Sequence, residues 1–268
     1  MFPSLWISVV NRWSPFVIEV GGSVLLQLLL LLFYFGKSFM FQSKDRPALL
    51  RCLPLCLFNI LLAGVSHGLF LYFLSRVRGD SFWSMSLSEV SGQLPTWKQL
   101  LSGFVRGTIY FDIVFYCLHW VLHQGVFYRK IHSVHHRFVE SVSLAAYYSH
   151  PVEFVLVNFG SAVLLSWFMR AHVVSQFLMG ALSQTIALYI HEQGEIGWLL
   201  VSHDMHHLKP WSNLGSIGLM DSLFGTLERV APKSNSDESG WGVPCAAKGG
   251  EALLQRGEGA APKSMITK

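Results

Sequence analysis

Residues 53–75 read LPLCLFNILLAGVSHGLFLYFLS, without a single Asp, Glu, Lys or Arg. A run of roughly 20 such residues crosses a bilayer as a helix, because a helix satisfies its own backbone where no water can. We read it as a transmembrane helix. Working outward, Phe16 to Phe35 carries one charge, Glu19, and forms a second segment of the same kind. A third runs from about Leu100 to Leu122 with Arg106 and Asp112 inside it, where charges are costly and often functional. Two shorter apolar stretches, Phe154 to Met169 and Val173 to Ile190, are joined by Arg170, Ala171 and His172. They predict a hairpin that dips deeply into the membrane and returns to the side it left.

The composition agrees: of 268 residues 51% are hydrophobic and 13% charged, against about a quarter charged in soluble domains. The expected fold is an all-α integral membrane protein with about four transmembrane or deeply inserted helices plus a short hairpin, under a histidine-rich helical cap. The first apolar block reads as a retained anchor rather than a signal peptide, since its basic flank is Arg12 alone and no small-residue cleavage site follows. Cys52, Cys56, Cys117 and Cys245 form no disulfide framework and read as inert packing residues. A net charge of +4 with no dense Lys/Arg cluster argues against nucleic acid and leaves the lipid phase as the place to find a partner.

Loop charges predict the orientation. Lys37, Lys44, Arg46 and Arg51 follow the first block, and Arg129, Lys130 and Arg137 follow the third; positive excess marks the cytoplasmic side. The third helix, the hairpin and the histidines that border them therefore point to the cytoplasm. Three regions follow: 1–99, an N-terminal membrane region; 100–230, a catalytic region; and 231–268, a Ser-, Gly-, Lys- and Glu-rich stretch that reads as a disordered tail.

Ten of the twelve histidines fall between 119 and 207. The boxes are His119-Trp-Val-Leu-His123, His132-Ser-Val-His135-His136 and His203-Asp-Met-His206-His207, with His150 opening the hairpin and His191 closing it. On a helix, positions i, i+3 and i+4 share a face, so each box is expected to aim its imidazoles at one point. Neutral imidazole suits iron, zinc and copper, and the ten rings exceed what one ion uses, so two metals are the economical reading. His67, mid-helix, and His172, on the opposite side, read as structural. Asp112 stands close to two turns before His119 and is expected either to hold the proton of a ligand imidazole or to partner Arg106 or a backbone group. Glu153, Glu192 and Asp204 adjoin histidines and read either as acceptors for the ligand rings, or occasional ligands themselves, or as exposed helix-end carboxylates.

Boxes HxxxH, HxxHH and HxxHH at these intervals resemble the membrane-bound fatty acid hydroxylase and sterol desaturase superfamily over roughly residues 105 to 228. Phe111-Asp112, Lys130-Ile131-His132, Ser149-His150-Pro151-Val152-Glu153, Asn213-Leu214-Gly215, Asp221 and Phe224-Gly225-Thr226 strengthen the likeness. The resemblance implies a diiron centre that activates O2, with electrons from NAD(P)H through cytochrome b5 or a reductase, to hydroxylate or oxidise a lipid in the endoplasmic reticulum membrane. Carried onto this sequence, His119, His123, His132, His135, His136, His150, His191, His203, His206 and His207 would bind or support the metals. The run from His191 to Gly197 departs from the His-Ser-Gly of sterol-oxidising members, which makes His191 the outlier of the ten. Two other readings stay open: a dizinc membrane hydrolase, and a non-catalytic lipid-binding membrane protein.

Overall fold

Four apolar stretches form helices long enough to cross a membrane: Val17–Phe41, Arg46–Arg78, Trp97–Leu122 and Val173–Ile190. The computed structural model describes residues 2–41, 46–137, 142–169, 171–191 and 203–228. In chain order the helices are α1 (Phe2–Arg12), α2 (Gly22–Phe41), α3 (Arg46–Arg78), α4 (Trp97–Leu122), α5 (Gly125–Lys130), α6 (Pro151–Glu153), α7 (Gly160–Met169), α8 (Val173–Ile190), α9 (His203–Leu208) and α10 (Leu219–Phe224). Two π-helical turns interrupt the pattern, Val17–Gly21 before α2 and Phe154–Phe159 before α7. No strand occurs among the described residues. The protein is an all-α integral membrane protein.

Sequence periodicity explains how the long helices sit. On α3, Cys52, Cys56, Ile60, Ala63, His67, Leu71 and Leu74 are buried at steps of three or four residues. Phe58, Leu61, Val65, Leu69 and Tyr72 are exposed along the other side, the face such a helix offers to lipid. The first apolar core joins Leu31, Leu49 and Ile60 to Leu144, Phe154 and Leu188, so the early helices and the histidine-bearing part share one interior. Close helix approach uses small residues: a Cβ on Gly64 would lie 2.5 Å from Val24, and one on Gly107 would lie 2.2 Å from Met179. A reciprocal cap starts α4, where Gln99 N–H donates to Thr96 Oγ1 and Thr96 N–H to Gln99 Oε1.

At one end of the bundle the turn of the hairpin meets the loop between α3 and α4. Glu89 N–H donates to Ala171 O and Val173 N–H to Glu89 O, while Trp6 Nε1 and His172 Nε2 both donate to Ser91 O. The nearby Glu19 is buried within the first π turn. Its Oε2 accepts Leu87 N–H and Ser88 N–H at 2.9 Å each and the Ser86 hydroxyl, and its Oε1 lies 2.9 Å from His67 Nε2. His67 and His172 thus have packing partners far from the boxes. The ends of α4 and α8, the 3-10 turn His132–Arg137 and α9 carry the histidines of the boxes.

Residues 229–268 lie outside the described residues, as do the tail assignment for 231–268 and Cys245. Lys44, Arg170 and Glu192 also lie outside them. Cys52 and Cys56 are buried, with free thiols, as their apolar setting predicts.

Candidate metal centre

Nine histidines converge into two adjoining groups. His119, His123, His132, His136 and His206 form one, and His135, His191, His203 and His207 the other; within each group the nearest ligand atoms lie within 4.8 Å of one another. An ion about 2.1 Å from each imidazole nitrogen separates neighbouring ligands by about 3.0 Å and opposite ones by about 4.2 Å, so both groups have the right size. The groups touch: the ring centroids of His136 and His207 are 4.6 Å apart.

Local structure sets each ring. His119 lies in the last turn of α4 and His123 ends that helix. The second box is a tight 3-10 turn, His132–Arg137, and the third is α9. His191 caps the end of α8. In four of the rings the nitrogen facing away from the groups is tied to a main-chain oxygen, whereas His207 Nδ1 is buried without a partner among the described residues. His119 Nδ1 donates to Leu214 O at 2.7 Å, His206 Nδ1 to Ser212 O at 2.8 Å, His135 Nδ1 to Tyr148 O at 3.3 Å and His191 Nδ1 to Ala187 O at 2.6 Å. A carbonyl oxygen only accepts, so each of these rings carries its proton on Nδ1 and turns the Nε2 lone pair inward.

That protonation decides what the groups fit. The inward nitrogens crowd one another: His119 Nε2 lies 3.1 Å from His132 Nε2, His136 Nε2 3.0 Å from His132 Nε2, and His207 Nε2 3.0 Å from His203 Nε2. The Nε2 atoms of His123, His191 and His206 are buried without a hydrogen-bond partner among the described residues. Leaving so many lone pairs buried and face to face is unfavourable unless a cation sits between them. Burial, with repulsion between neighbouring rings, holds His123, His132, His136, His203, His206 and His207 well below the ordinary imidazole range. Burial alone brings His135 to about 4, and burial with repulsion from His135 brings His191 to about 3. Neutral rings are the metal-binding form, and the donor set fits two metal ions.

The fatty acid hydroxylase family pattern matches residues 104–226, which hold all nine rings. This match, with the relatives below, supports the fatty acid hydroxylase and sterol desaturase superfamily. Among relatives, fatty acid hydroxylase ahd1 of Mycosarcoma maydis is 28% identical over 66% of this chain and 45% of its own length. Fatty acid hydroxylase domain-containing protein 2 of Homo sapiens is 30% identical over 50% of this chain and 41% of its own. Methylsterol monooxygenase 2-2 of Arabidopsis thaliana is 28% identical over 82% of this chain and 90% of its own. The chain thus spans about half the length of the fatty acid hydroxylase relatives. No solved structure matches it.

The sequence-derived residues fall as follows. His191, the outlier of the pattern, sits inside the four-histidine group. His150 stands outside both groups; its Nδ1 accepts Val152 N–H at 3.2 Å and starts α6, so this nitrogen acts as a helix cap. The boxes do not each aim at one point either. In both HxxHH boxes the first and last histidines share a group while the middle one joins the other.

Glu153 Oε1 accepts from His132 Nδ1 at 2.9 Å, the acceptor role the sequence suggested. Burial pushes this carboxyl well above the usual carboxylate range, and its Oε2 has no partner among the described residues. A metal's positive charge on the far side of the imidazole favours the ionised carboxylate instead. Asp112 touches neither an imidazole nor Arg106, whose Nε donates to Ser102 O. Its Oδ1 accepts from Ser216 N–H at 2.6 Å, Ser216 Oγ at 3.1 Å and Ile217 N–H at 2.8 Å, and its Oδ2 from Met220 N–H at 2.9 Å. The side chain of Asp204 lies outside the described residues.

Sequence reasoning assigned no role to Asp221. Its Oδ1 accepts Leu214 N–H at 2.7 Å and the Thr226 hydroxyl at 2.7 Å, and its Oδ2 accepts Gly215 N–H at 2.8 Å. Asp112 and Asp221 thus clamp the loop whose Leu214 carbonyl orients His119. The signal was present in the run from Asn213 to Thr226, where a lone acid follows a glycine-bearing turn.

Proposed function

We propose that the protein is a membrane-bound diiron oxygenase that hydroxylates or oxidises a lipid, either a sterol or a long-chain fatty acyl, sphingoid or ether lipid. O2 is the oxidant, and an NAD(P)H-linked donor, cytochrome b5 or a reductase, supplies electrons. The single observation that carries this reading is the convergence of nine neutral imidazoles into two adjoining sets at the ends of bilayer-length helices. Iron bound there supplies the reductive activation of O2 needed to attack an unactivated C–H bond. Five nitrogens in one set favour iron over zinc, because closed zinc sites settle at four tetrahedral ligands.

The chain's own residues do the positioning. Leu214 O, Ser212 O, Tyr148 O, Ala187 O and Glu153 fix ring orientation and keep the lone pairs inward. Burial of the rings keeps water from competing for those nitrogens. We assign the nine histidines as ligands, Glu153 and Asp112 as their supports, and residues 100–230 as the catalytic region behind an N-terminal membrane region, 1–99. A cytoplasmic site is supported by Lys37, Arg46, Arg51, Arg129 and Lys130 in the segments bordering the histidine end, and the endoplasmic reticulum membrane is proposed from the membrane-bound electron donors this reading requires. The printed names of the relatives, fatty acid hydroxylases and methylsterol monooxygenases, support the lipid substrate.

The test is reconstitution of iron-loaded protein in liposomes with a reductase and 18O2, offering sterols and long-chain lipids. A product carrying 18O from the gas is expected. Bound, reducible iron with no oxygenated product defeats the proposal, and product formed without O2 favours the dizinc hydrolase.

A further inference from the structure

Asn59 lies in the middle of α3 and is fully buried. It stands outside residues 104–226, in the part of the chain that the sequence alone reads as a membrane anchor. Its Nδ2 donates to the main-chain carbonyls of Tyr147 and Ser149, both at 3.0 Å. These carbonyls flank Tyr148, whose own carbonyl accepts from His135 Nδ1. A carboxamide nitrogen has two N–H donors, so one side chain holds both flanks of that residue. Both partners are acceptors, which fixes the amide: turned over, its oxygen would face two carbonyl oxygens.

We propose that Asn59 is a positioning residue of the four-histidine metal site. By fixing main chain 147–149 against a long, buried helix it sets the place of the Tyr148 carbonyl, and through it the tautomer and tilt of His135. Other partners orient the five-histidine group, namely Leu214, Ser212 and Glu153. Loss of Asn59 therefore weakens one metal and spares the other. This inference rests on the two-metal reading above, and it makes the second membrane helix part of the metal centre.

The experiment loads full-length protein in detergent with iron(II) under anaerobic conditions and follows ions retained per chain against a graded chelator. Variants His203→Ala and His132→Ala identify which release step belongs to which group. Asn59→Leu keeps the branched shape and removes both donors; Asn59→Ser makes a milder change and keeps one donor. The four-histidine ion is expected to leave Asn59→Leu at about 10- to 100-fold lower chelator, as when an outer partner of a ligand is lost. Asn59→Ser should show a smaller shift of the same step, and the five-histidine step should stay at its wild-type position in both. Leu71→Ala, a core truncation on the same helix away from this contact, should shift neither step selectively. Unchanged release in both Asn59 variants, equal weakening of the two ions, or the same selective loss in Leu71→Ala overturns the inference. Wild-type protein that takes up fewer than two ions overturns the two-metal reading itself, and this inference with it.

Discussion

Asp112→Asn isolates the clamp on the loop that orients His119. The four groups around the carboxylate are all donors: Ser216 N–H, Ser216 Oγ and Ile217 N–H on Oδ1, and Met220 N–H on Oδ2. An amide of the same shape replaces one acceptor oxygen by a donor. Its cheaper orientation sets NH2 against Met220 N–H, stranding that buried donor at about 1–3 kcal/mol. The three contacts that remain become neutral and lose roughly half their strength, about 0.5–1 kcal/mol each. Together these changes cost about 2.5–6 kcal/mol, concentrated in the 213–220 loop. Leu214 O then no longer holds His119 Nδ1, and metal affinity of the five-histidine group should fall about 10- to 100-fold. Denaturant unfolding in detergent and chelator titration of the iron-loaded protein measure the two effects. An independent perturbation should act alike: a Cβ on Gly215 would sit 2.8 Å from both Asp112 Oδ1 and Asp221 Oδ2, so Gly215→Ala pushes the carboxylates off the loop. An Asp112→Asn protein within about 1 kcal/mol of wild type, with unchanged metal retention, would refute the clamp.

Other perturbations separate the parts of the site. Glu153→Leu removes the acceptor of His132 Nδ1, and its iron-release curve should show the five-histidine ion loosened with the other unmoved. His135→Ala and His136→Ala, although neighbours in one box, should deplete different ions, which release curves or Mössbauer spectra of iron-57 samples can distinguish. Glu19→Leu strands a buried imidazole and the N–H groups of Leu87 and Ser88, so unfolding should become easier by about 3–5 kcal/mol. The same variant should keep full metal loading, because Glu19 lies at the end of the bundle opposite the histidines.

The membrane helices were legible because apolar length is a one-dimensional property. Residues 53–75 announce a span without knowledge of any neighbour, and the structure carries that helix from Arg46 to Arg78. The π turn that buries Glu19 was not legible, since its stabilising partners, Leu87 and Ser88, come from a loop 68 and 69 residues away. The histidines were legible as a set by number and spacing. For Asp112 helical phase suggests the face of His119, whereas the backbone-partner alternative is what forms, with N–H groups more than 100 residues on. The acceptors that orient His119, His206, His135 and His191 are main-chain carbonyls, which have no letter in the sequence.

The division of each HxxHH box between two ions follows from those acceptors more than from helical phase. In α9 an α-helix puts His203 and His207 about 40° apart around the axis, with His206 about 60° to the other side, so phase alone already suggests the split. The second box is a 3-10 turn, in which residues three apart eclipse. Phase there pairs His132 with His135, and their rings do lie nearly parallel with centroids 5.6 Å apart. Yet the two serve different groups, because Glu153 holds the first and the Tyr148 carbonyl the second. Two backbone geometries thus give one partition, and the feature they share is an oxygen outside the box on the outward nitrogen of a ring. The assembly of two sites from three short boxes therefore depends on the hairpin, the 147–149 segment and the 212–221 loop, which place those oxygens.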